Sequence, residues 1–184
     1  MIVDSCVFSV SDYGAEVIGY HQHPATEAIY LKTLRSFLGL NKYTPSQGLK
    51  AEFQWLSSRS RCQIRMVRQF LRIRNLPDSR LTKKIFNFDL KFSSMGTHDC
   101  WSTEVNKILN RNGLGQYFSL PCHNKNLIDS LTNSLLQQDI KLYYESCLSY
   151  SKLKLYITIC DVNSKTNYLY KTLSFNKKRN LARF

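Results

Sequence analysis

The sequence is organised around residues 59–74, which read RSRCQIRMVRQFLRIR and contain six arginines and no acid. The apolar residues Ile64, Val67 and Leu71 lie three and four positions apart, which is the spacing of one face of an α-helix. Four of the arginines recur at intervals of four, three and four: Arg61, Arg65, Arg68 and Arg72. We call these four residues the arginine row. The stretch therefore predicts a helix with an apolar side and a basic side.

The arginine row occupies a narrow part of this predicted helix. At about 100° per residue its four members share an arc of roughly 60°, beside the apolar stripe. Like charges at this spacing repel by a few tenths of a kcal/mol per pair. Either an anionic ligand faces such a row or nearby acids neutralise it, and the nearest acids in sequence, Glu52 and Asp78, are too few. A phosphate backbone is the obvious ligand for such a row, and a solvated basic face is an equal alternative when this helix alone is considered.

The composition points to anionic partners. The chain of 184 residues is long enough for one domain, or two small ones, with a real core. Its 26 basic and 13 acidic residues give a net charge of +13. This balance favours nucleic acid first and an anionic membrane surface second. Because the basic residues form several patches, the charge is not that of a simple disordered tail.

Targeting signals and cysteine usage suggest an intracellular protein, in the cytoplasm or the nucleus. The sequence contains no run of 18 consecutive apolar residues, so we expect no transmembrane helix. The first 20 residues lack the basic flank of a signal peptide and contain three acids. The six cysteines have long, uneven spacings without a C-x-x-C pair, which is typical of reduced thiols in or near a core.

The chain shows no self-contained active site. His21 with His23, and Cys122 with His123, lack the spacing of tetrahedral zinc ligands, so we predict no metal site. Two-metal phosphoryl transfer needs clustered carboxylates, and the sequence has no Asp-Asp pair. A glycine-rich phosphate loop is also absent from the sequence. We therefore expect no cofactor, and no catalysis by this chain alone.

Apolar periodicity predicts a mainly α fold. One helix is expected over 21–39, with Gly39 as its C′ residue. The arginine helix should end near Asn75, because Pro77 disfavours helix at the residue before it. Asp78 or Ser79 is the predicted cap of the next helix. That helix carries an apolar side and a basic side, made up of Leu81, Ile85 and Phe88 against Lys83 and Lys84.

The second half of the chain continues the helical pattern. Thr97 or Asp99 is the predicted cap of a helix that begins near Trp101 and stops at Asn112-Gly113. A long helix is predicted over 124–148. Residues 152–159 alternate between polar and apolar, which favours a strand locally, although helix is not excluded because no partner strand is evident.

The aromatic residues have two interpretations. Tyr43, Phe53 and Trp55 flank the basic helix and could stack on bases. Further tyrosines cluster late among lysines: Tyr143, Tyr144, Tyr150, Tyr156, Tyr168 and Tyr170. For each of these side chains, packing in the core is the favoured interpretation.

Several short motifs occur in a familiar order. Residues 12–19 contain a Y-G-x-E pattern, and 30–45 contain YLK, then FLGLNKYTP. EFQWL at 52–56 precedes the arginine helix, and DSRLTK at 78–83 follows it. Later come WSTEV at 101–105, KLKLY at 152–156 and KKRNLARF at 177–184. This order resembles the region after the catalytic palm in reverse transcriptases of non-LTR (LINE-type, jockey-like) retrotransposons, and the resemblance covers nearly the whole chain.

The sequence departs from that family at some positions. The family's G-E-x-G-x-x-P segment is degraded here, with Lys50-Ala51 where Gly is usual, Gln54 in place of the second Gly, and Ser58 where Pro is common. The palm's F/Y-x-D-D loop and the endonuclease are missing. The chain also stops before the Cys/His zinc knuckle with which the family often continues.

The resemblance implies a fragment of an RNA-directed DNA polymerase without its catalytic centre. Residues 1–91 would form a thumb-like helical bundle, and residues 92–184 a second helical region. In the parent enzyme the thumb would hold RNA template and growing DNA, so the implied partners are RNA and DNA as an RNA–DNA hybrid, and the missing palm. Contacts would go to backbone phosphate and sugar. The predicted binding residues are first the arginine row, then Lys42, Lys83 and Lys84.

The alternative is a non-functional remnant of an element, or a basic helical module that binds an acidic protein. A chain cut from a larger one should expose apolar residues near its start, among them Ile2, Val3, Val7 and Phe8, and should self-associate. Gln has a helix propensity close to that of Arg. We therefore expect that replacing the whole arginine row by Gln leaves the fold intact.

Overall fold

The computed structural model describes residues 8–19, 24–96, 100–119 and 124–153, and it confirms the mainly α fold. Eight α-helices, two of them very short, occur in these ranges: α1 (Ser9–Ser11), α2 (Ala15–Ile18), α3 (Pro24–Leu38), α4 (Ser46–Phe53), α5 (Ser58–Arg74), α6 (Leu81–Ser94), α7 (Trp101–Arg111) and α8 (Asn124–Leu148). Two 3₁₀ helices span Gly115–Phe118 and Ser151–Leu153. The described residues contain no β-strand. Residue 153 ends the second 3₁₀ helix, and the rest of the predicted strand lies outside the described residues.

The chain divides into two compact units that are discontinuous in sequence. The first contains residues 1–11, 23–57 and 136–184, and the second contains residues 12–22 and 58–135. Helix α8 contributes to both, since the division falls between Leu135 and Leu136. The division between residues 91 and 92 comes from the family resemblance and not from contacts within the structure, so it stays a prediction.

The first unit has an aromatic core around α3 and α4. Its buried side chains come from both helices and from the start of the described chain: Phe8, Tyr30, Leu34, Leu38, Leu49 and Phe53. Trp55 packs against Phe53 with 4.8 Å between ring centroids. Phe53 is therefore a core residue and Trp55 packs against the core while partly buried, in agreement with the packing interpretation. Phe8 is only 5% exposed, so the expectation of an exposed patch is wrong for this residue. Ile2, Val3 and Val7 lie outside the described residues.

Two predicted helix ends are confirmed by a C-terminal glycine. Gly39 follows α3 at φ 63°, and Gly113 follows α7 at φ 69°. After each glycine the next amide bonds five residues back, Leu40 N–H to the Arg35 carbonyl at 2.9 Å and Leu114 N–H to the Leu109 carbonyl at 2.8 Å. This is the Schellman arrangement, which needs a left-handed residue at C′.

The second unit is built on the apolar side of α5. Helices α2, α6 and α7 all pack against this helix. Its buried residues include Ile64, Val67 and Leu71, which confirms the predicted stripe. Phe70 lies at the centre of an aromatic cluster, with ring centroids 5.3 Å from Phe86 and 5.1 Å from Phe118. Trp101 completes this cluster at 6.1 Å from Phe70.

The predicted cap of α6, Asp78 or Ser79, is wrong, whereas Thr97 and Asp99, the predicted caps of α7, lie outside the described residues. Arg80 is the N-cap of α6 and Cys100 that of α7, and neither makes a side-chain cap hydrogen bond. The acceptor for α7 comes instead from α6, where Asp89 Oδ2 accepts a hydrogen bond from Ser102 N–H at 2.9 Å. Because Asp89 is 13 positions from Ser102, a search for local capping residues misses it.

Removing this remote cap should destabilise α7. We expect Asp89→Ala to lower the free energy of unfolding by about 1 kcal/mol, as for the loss of an N-cap side chain. Chemical denaturation followed by circular dichroism measures the change. Asp78→Ala is the matched control, because Asp78 is exposed and does not cap α6. Equal effects of the two substitutions would contradict the assignment.

Candidate nucleic-acid interface

Helix α5 carries the arginine row beside its buried stripe, and the row passes from the half-buried Arg61 and Arg65 to the exposed Arg68 and Arg72. The helix ends at Arg74, close to the predicted end at Asn75. Arg72 and Arg74 fall in the last helical turn, where a positive charge interacts favourably with the helix dipole. The local sequence therefore explains why the helix forms and why positive charge at its C-terminal end does not destabilise it.

The first member of the row is held inside the protein. Arg61 donates from Nε to Asp12 Oδ2 at 3.0 Å and from Nη2 to Asp12 Oδ1 at 3.3 Å. The Asp12 side chain is fully buried, and that of Arg61 is only 13% exposed. Two-point pairing of this kind is among the stronger ionic hydrogen bonds of proteins. Arg61 therefore has a structural partner.

Arg65 shares the same acidic partners from the next turn of α5. Its Nη2 lies 3.8 Å from Asp12 Oδ2, and its Nη1 lies 3.6 Å from Glu16 Oε1. Its Nη1 also donates to the Asp12 backbone carbonyl at 3.4 Å. The first half of the row is thus paired with two acids of residues 12–16. In the sequence these acids lie about 50 positions away, which is why the search for nearby acids missed them.

Residue Gly19 lets this acidic segment come close to α5. A Cβ at position 19 would lie 2.9 Å from Cys62 Cβ and 2.3 Å from the Ala15 carbonyl oxygen. Both distances are too short for a side chain. Gly19, three residues after the Y-G-x-E pattern, thus permits the close packing of α2 against α5.

Two further basic side chains are used within the second unit. Arg74 Nη1 donates to the carbonyls of Tyr117 at 3.2 Å and Phe118 at 3.0 Å. Lys83, one of the predicted binding residues, donates from Nζ to the Arg74 carbonyl, and its Nζ lies over the Phe86 ring, 5.4 Å from the ring centroid. These bonds hold α5, α6 and the 3₁₀ helix 115–118 together.

The remaining predicted residues expose their charge. Arg68 and Arg72 are exposed on α5, and neither forms an ion pair with a carboxylate in the described ranges. Lys84 is exposed on α6. The arginine row is therefore divided into a paired half, Arg61 and Arg65, and an open half, Arg68 and Arg72.

Lys42 belongs to the first unit. It is exposed, and its Nζ lies 5.0 Å from the ring centroid of Tyr43, which is itself 80% exposed. An open pocket of about 480 Å³ lies beside these residues, lined by Arg35, Lys42, Tyr43, Thr44, Pro45, Ser46, Gln47, Tyr150 and Ser151. Arg35 is bonded to the pocket wall through the Thr44 carbonyl at 3.1 Å. Of the three aromatic residues considered for stacking near α5, only Tyr43 is largely exposed.

Two of the thiols in the described part of the chain, Cys62 and Cys147, are partly or fully buried. Cys62, Cys100 and Cys147 are thiols, and burial raises the pKa of Cys62 and of Cys147. The nearby Asp12 carboxylate raises the pKa of Cys62 further. A thiol with a raised pKa stays protonated at neutral pH and is a poor nucleophile. Cys6, Cys122 and Cys160 lie outside the described residues.

Residues 8–19, 24–96, 100–119 and 124–153 hold no group of three or more His, Cys, Asp or Glu side chains placed to bind a metal ion. Within these ranges, no helix combines the length and the apolar character needed to cross a bilayer.

Comparison with known proteins adds no family to this description. The sequence matches no family model and no curated protein, and the fold matches no solved structure. The resemblance to retrotransposon reverse transcriptases accordingly stays a prediction that rests on the motifs quoted above.

Proposed function

We propose that this chain binds the sugar–phosphate backbone of nucleic acid through the open half of the arginine row. The observation that carries the proposal is the pairing pattern on α5. Asp12 and Glu16 neutralise Arg61 and Arg65, whereas Arg68 and Arg72 point their charge to solvent. The two open arginines are one helical turn apart, about 6 Å along the axis, so one segment of backbone can contact both.

The chemistry of these groups favours phosphate over bases as the target. A guanidinium on a regular helix binds phosphate oxygens in two-point geometry, and such contacts carry no sequence information. The net charge of +13 adds a long-range attraction for any polyanion. On the resemblance described above, the ligand is an RNA–DNA hybrid, and the chain is the thumb and post-palm region of a LINE-type reverse transcriptase. Lys84 and Lys42 are secondary candidates, because both are exposed.

The experiment measures how affinity for an RNA–DNA hybrid depends on salt. Each phosphate contact contributes roughly 0.9 to the slope of log K against log salt on duplex DNA. For Arg68→Gln/Arg72→Gln we expect a slope lower by about 1.8, because two contacts are lost. Fluorescence anisotropy with a labelled hybrid, and with duplexes of unrelated sequence, provides the slopes. The decrease should be the same for all sequences.

The control removes the same charge elsewhere. Lys32→Gln/Arg111→Gln also removes two exposed cations, one on α3 and one on α7, and leaves α5 unchanged. Its slope should stay close to that of the unmodified protein. If both double variants change the slope equally, binding depends on net charge alone, and the open half of the row is only a solvated basic face.

A further inference from the structure

Helix α6 presents an apolar stripe to solvent. Leu81, Ile85 and Phe88 are 71%, 60% and 61% exposed, and Met95, directly after the helix, is 75% exposed. The buried side of α6 is formed around Phe86, which is 4% exposed. The apolar side that the sequence predicts for this helix is therefore the outer one, and the inner side includes the half-buried Lys83. Large side chains so exposed in one row are a mark of an interaction surface.

The spacing of the stripe is that of a helix–helix seam. Positions 81, 85, 88, 92 and 95 alternate steps of four and three, and each holds a large apolar residue. Phe92, at the fourth position, is 53% exposed. An average period of 3.5 is the spacing of the a and d positions along which a second helix packs. The stripe therefore fits a helix better than it fits a flat or irregular partner.

The two edges of the stripe differ in charge. Arg80, Lys84 and Lys91 lie along one edge, within roughly 40° of each other at 100° per residue, and all three are exposed. The other edge carries Asp89, the single acid of residues 81–94. Asp89 is half-buried and its carboxylate caps α7 through Ser102 N–H. The charge that a partner meets is therefore positive.

This charge pattern disfavours a second copy of the chain. In an antiparallel pair of α6 helices, positions on the same basic edge meet, which brings Lys84 close to Lys91 of the other copy. In a parallel pair, the acidic residue that faces Lys84 is Asp89 of the other copy, but the Asp89 carboxylate already accepts the hydrogen bond that caps α7. The net charge of +13 on each chain adds repulsion.

We propose that α6 is a docking site for an amphipathic helix of another protein whose apolar stripe is bordered by glutamate or aspartate. The apolar residues of the partner pack on Leu81, Ile85 and Phe88. Its carboxylates face Arg80, Lys84 and Lys91. This surface does not include Arg68 or Arg72, and Lys84 is the one residue that it shares with the candidate nucleic-acid interface.

The test uses the full chain and two designed peptides of about three heptads with leucine at every a and d position. One peptide has glutamate at the flanking e and g positions, and the other has lysine there. We expect the glutamate peptide to bind at least about tenfold more tightly, because like charges face each other in the lysine complex. Ile85→Gln/Phe88→Gln, which leaves the charge unchanged, should lower that affinity at least about tenfold.

Matched variants separate docking from general attraction of an acidic peptide. Leu142→Gln/Leu148→Gln removes two exposed leucines of α8 and should leave the affinity unchanged. Lys84→Glu/Lys91→Glu should reverse the preference, so that the lysine peptide binds more tightly. Unaltered circular dichroism of each variant shows that its fold is kept.

Three outcomes would overturn the proposal. One is an unchanged affinity of the Ile85→Gln/Phe88→Gln protein for the glutamate peptide. Another is a dimer in sedimentation that this double substitution dissociates, because the occupant would then be a second copy. The third is that the unmodified protein binds phosphatidylserine vesicles and the double substitution abolishes this binding but leaves peptide binding unchanged. The stripe would then be a membrane contact.

Discussion

Replacing Arg61 by glutamine is expected to lower the free energy of unfolding by about 3 kcal/mol, the lower end of the range for breaking a buried ion pair. The substitution leaves the fully buried Asp12 carboxylate without its two-point partner at 3.0 and 3.3 Å. Arg65, at 3.8 Å, stays near the carboxylate and limits the loss. Urea denaturation measures the change.

Arg68→Gln is the matched control for this prediction. It makes the same chemical change on the same helix at an exposed position, so we expect a change within about 0.5 kcal/mol. The double variant Arg61→Gln/Asp12→Asn should be less destabilised than the sum of its single substitutions, because it removes both charges together. Additive single effects would contradict the assignment of Arg61 as the partner of Asp12.

The pairing of Arg61 with Asp12 limits which members of the arginine row can be replaced in a binding experiment. Replacing all four arginines by Gln was expected to leave the fold intact, since Gln and Arg have similar helix propensities. The pairing of Arg61 with Asp12 opposes that expectation, because the cost arises from a buried charge and not from the helix. A study of binding should therefore replace only Arg68 and Arg72, because both are exposed and their replacement is not expected to destabilise the fold.

Replacing Phe70 by alanine should have the largest effect on stability, about 4 kcal/mol, as for other large aromatic residues removed from a core. Phe70 is 1% exposed and lies within 5.1 to 6.1 Å of three aromatic rings, from Phe86, Phe118 and Trp101. The cavity would lie between α5, α6 and α7. Denaturation followed by tryptophan fluorescence measures the change, since Trp101, one of the two tryptophans of the chain, belongs to the cluster.

Phe88→Ala is the matched control, because comparing it with Phe70→Ala shows how much of the loss in stability is due to burial of the side chain. It removes the same atoms from a neighbouring helix, but Phe88 is 61% exposed, so we expect a change within about 0.5 kcal/mol. A large loss at Phe88 would show that the outer stripe of α6 is part of the core. That outcome would also weaken the proposed docking site.

Much of the helical framework follows from the sequence. Residues 124–148 and the ends of α3, α5 and α7 were predicted from apolar period, glycine and proline, because these signals act within one or two turns of backbone. The buried stripe of α5 was found in the same way, since a period of 3.6 residues needs no knowledge of the partner. Local chemistry thus determined where helices form and which side of α5 is apolar.

The tertiary structure decided which charged side chains have partners within the protein and which apolar side chains are buried. Asp12 reaches Arg61 across 49 positions, and Asp89 caps α7 from another helix. Neither contact has a local signal, because each depends on how helices pack. The orientation of α6 is a similar case: its sequence shows an apolar side, but the packing of Phe86 against Phe70 turns that side to solvent. The sequence by itself determined the helices and the excess of positive charge, and only the packing of those helices decided which arginines stay open and which apolar stripe remains exposed.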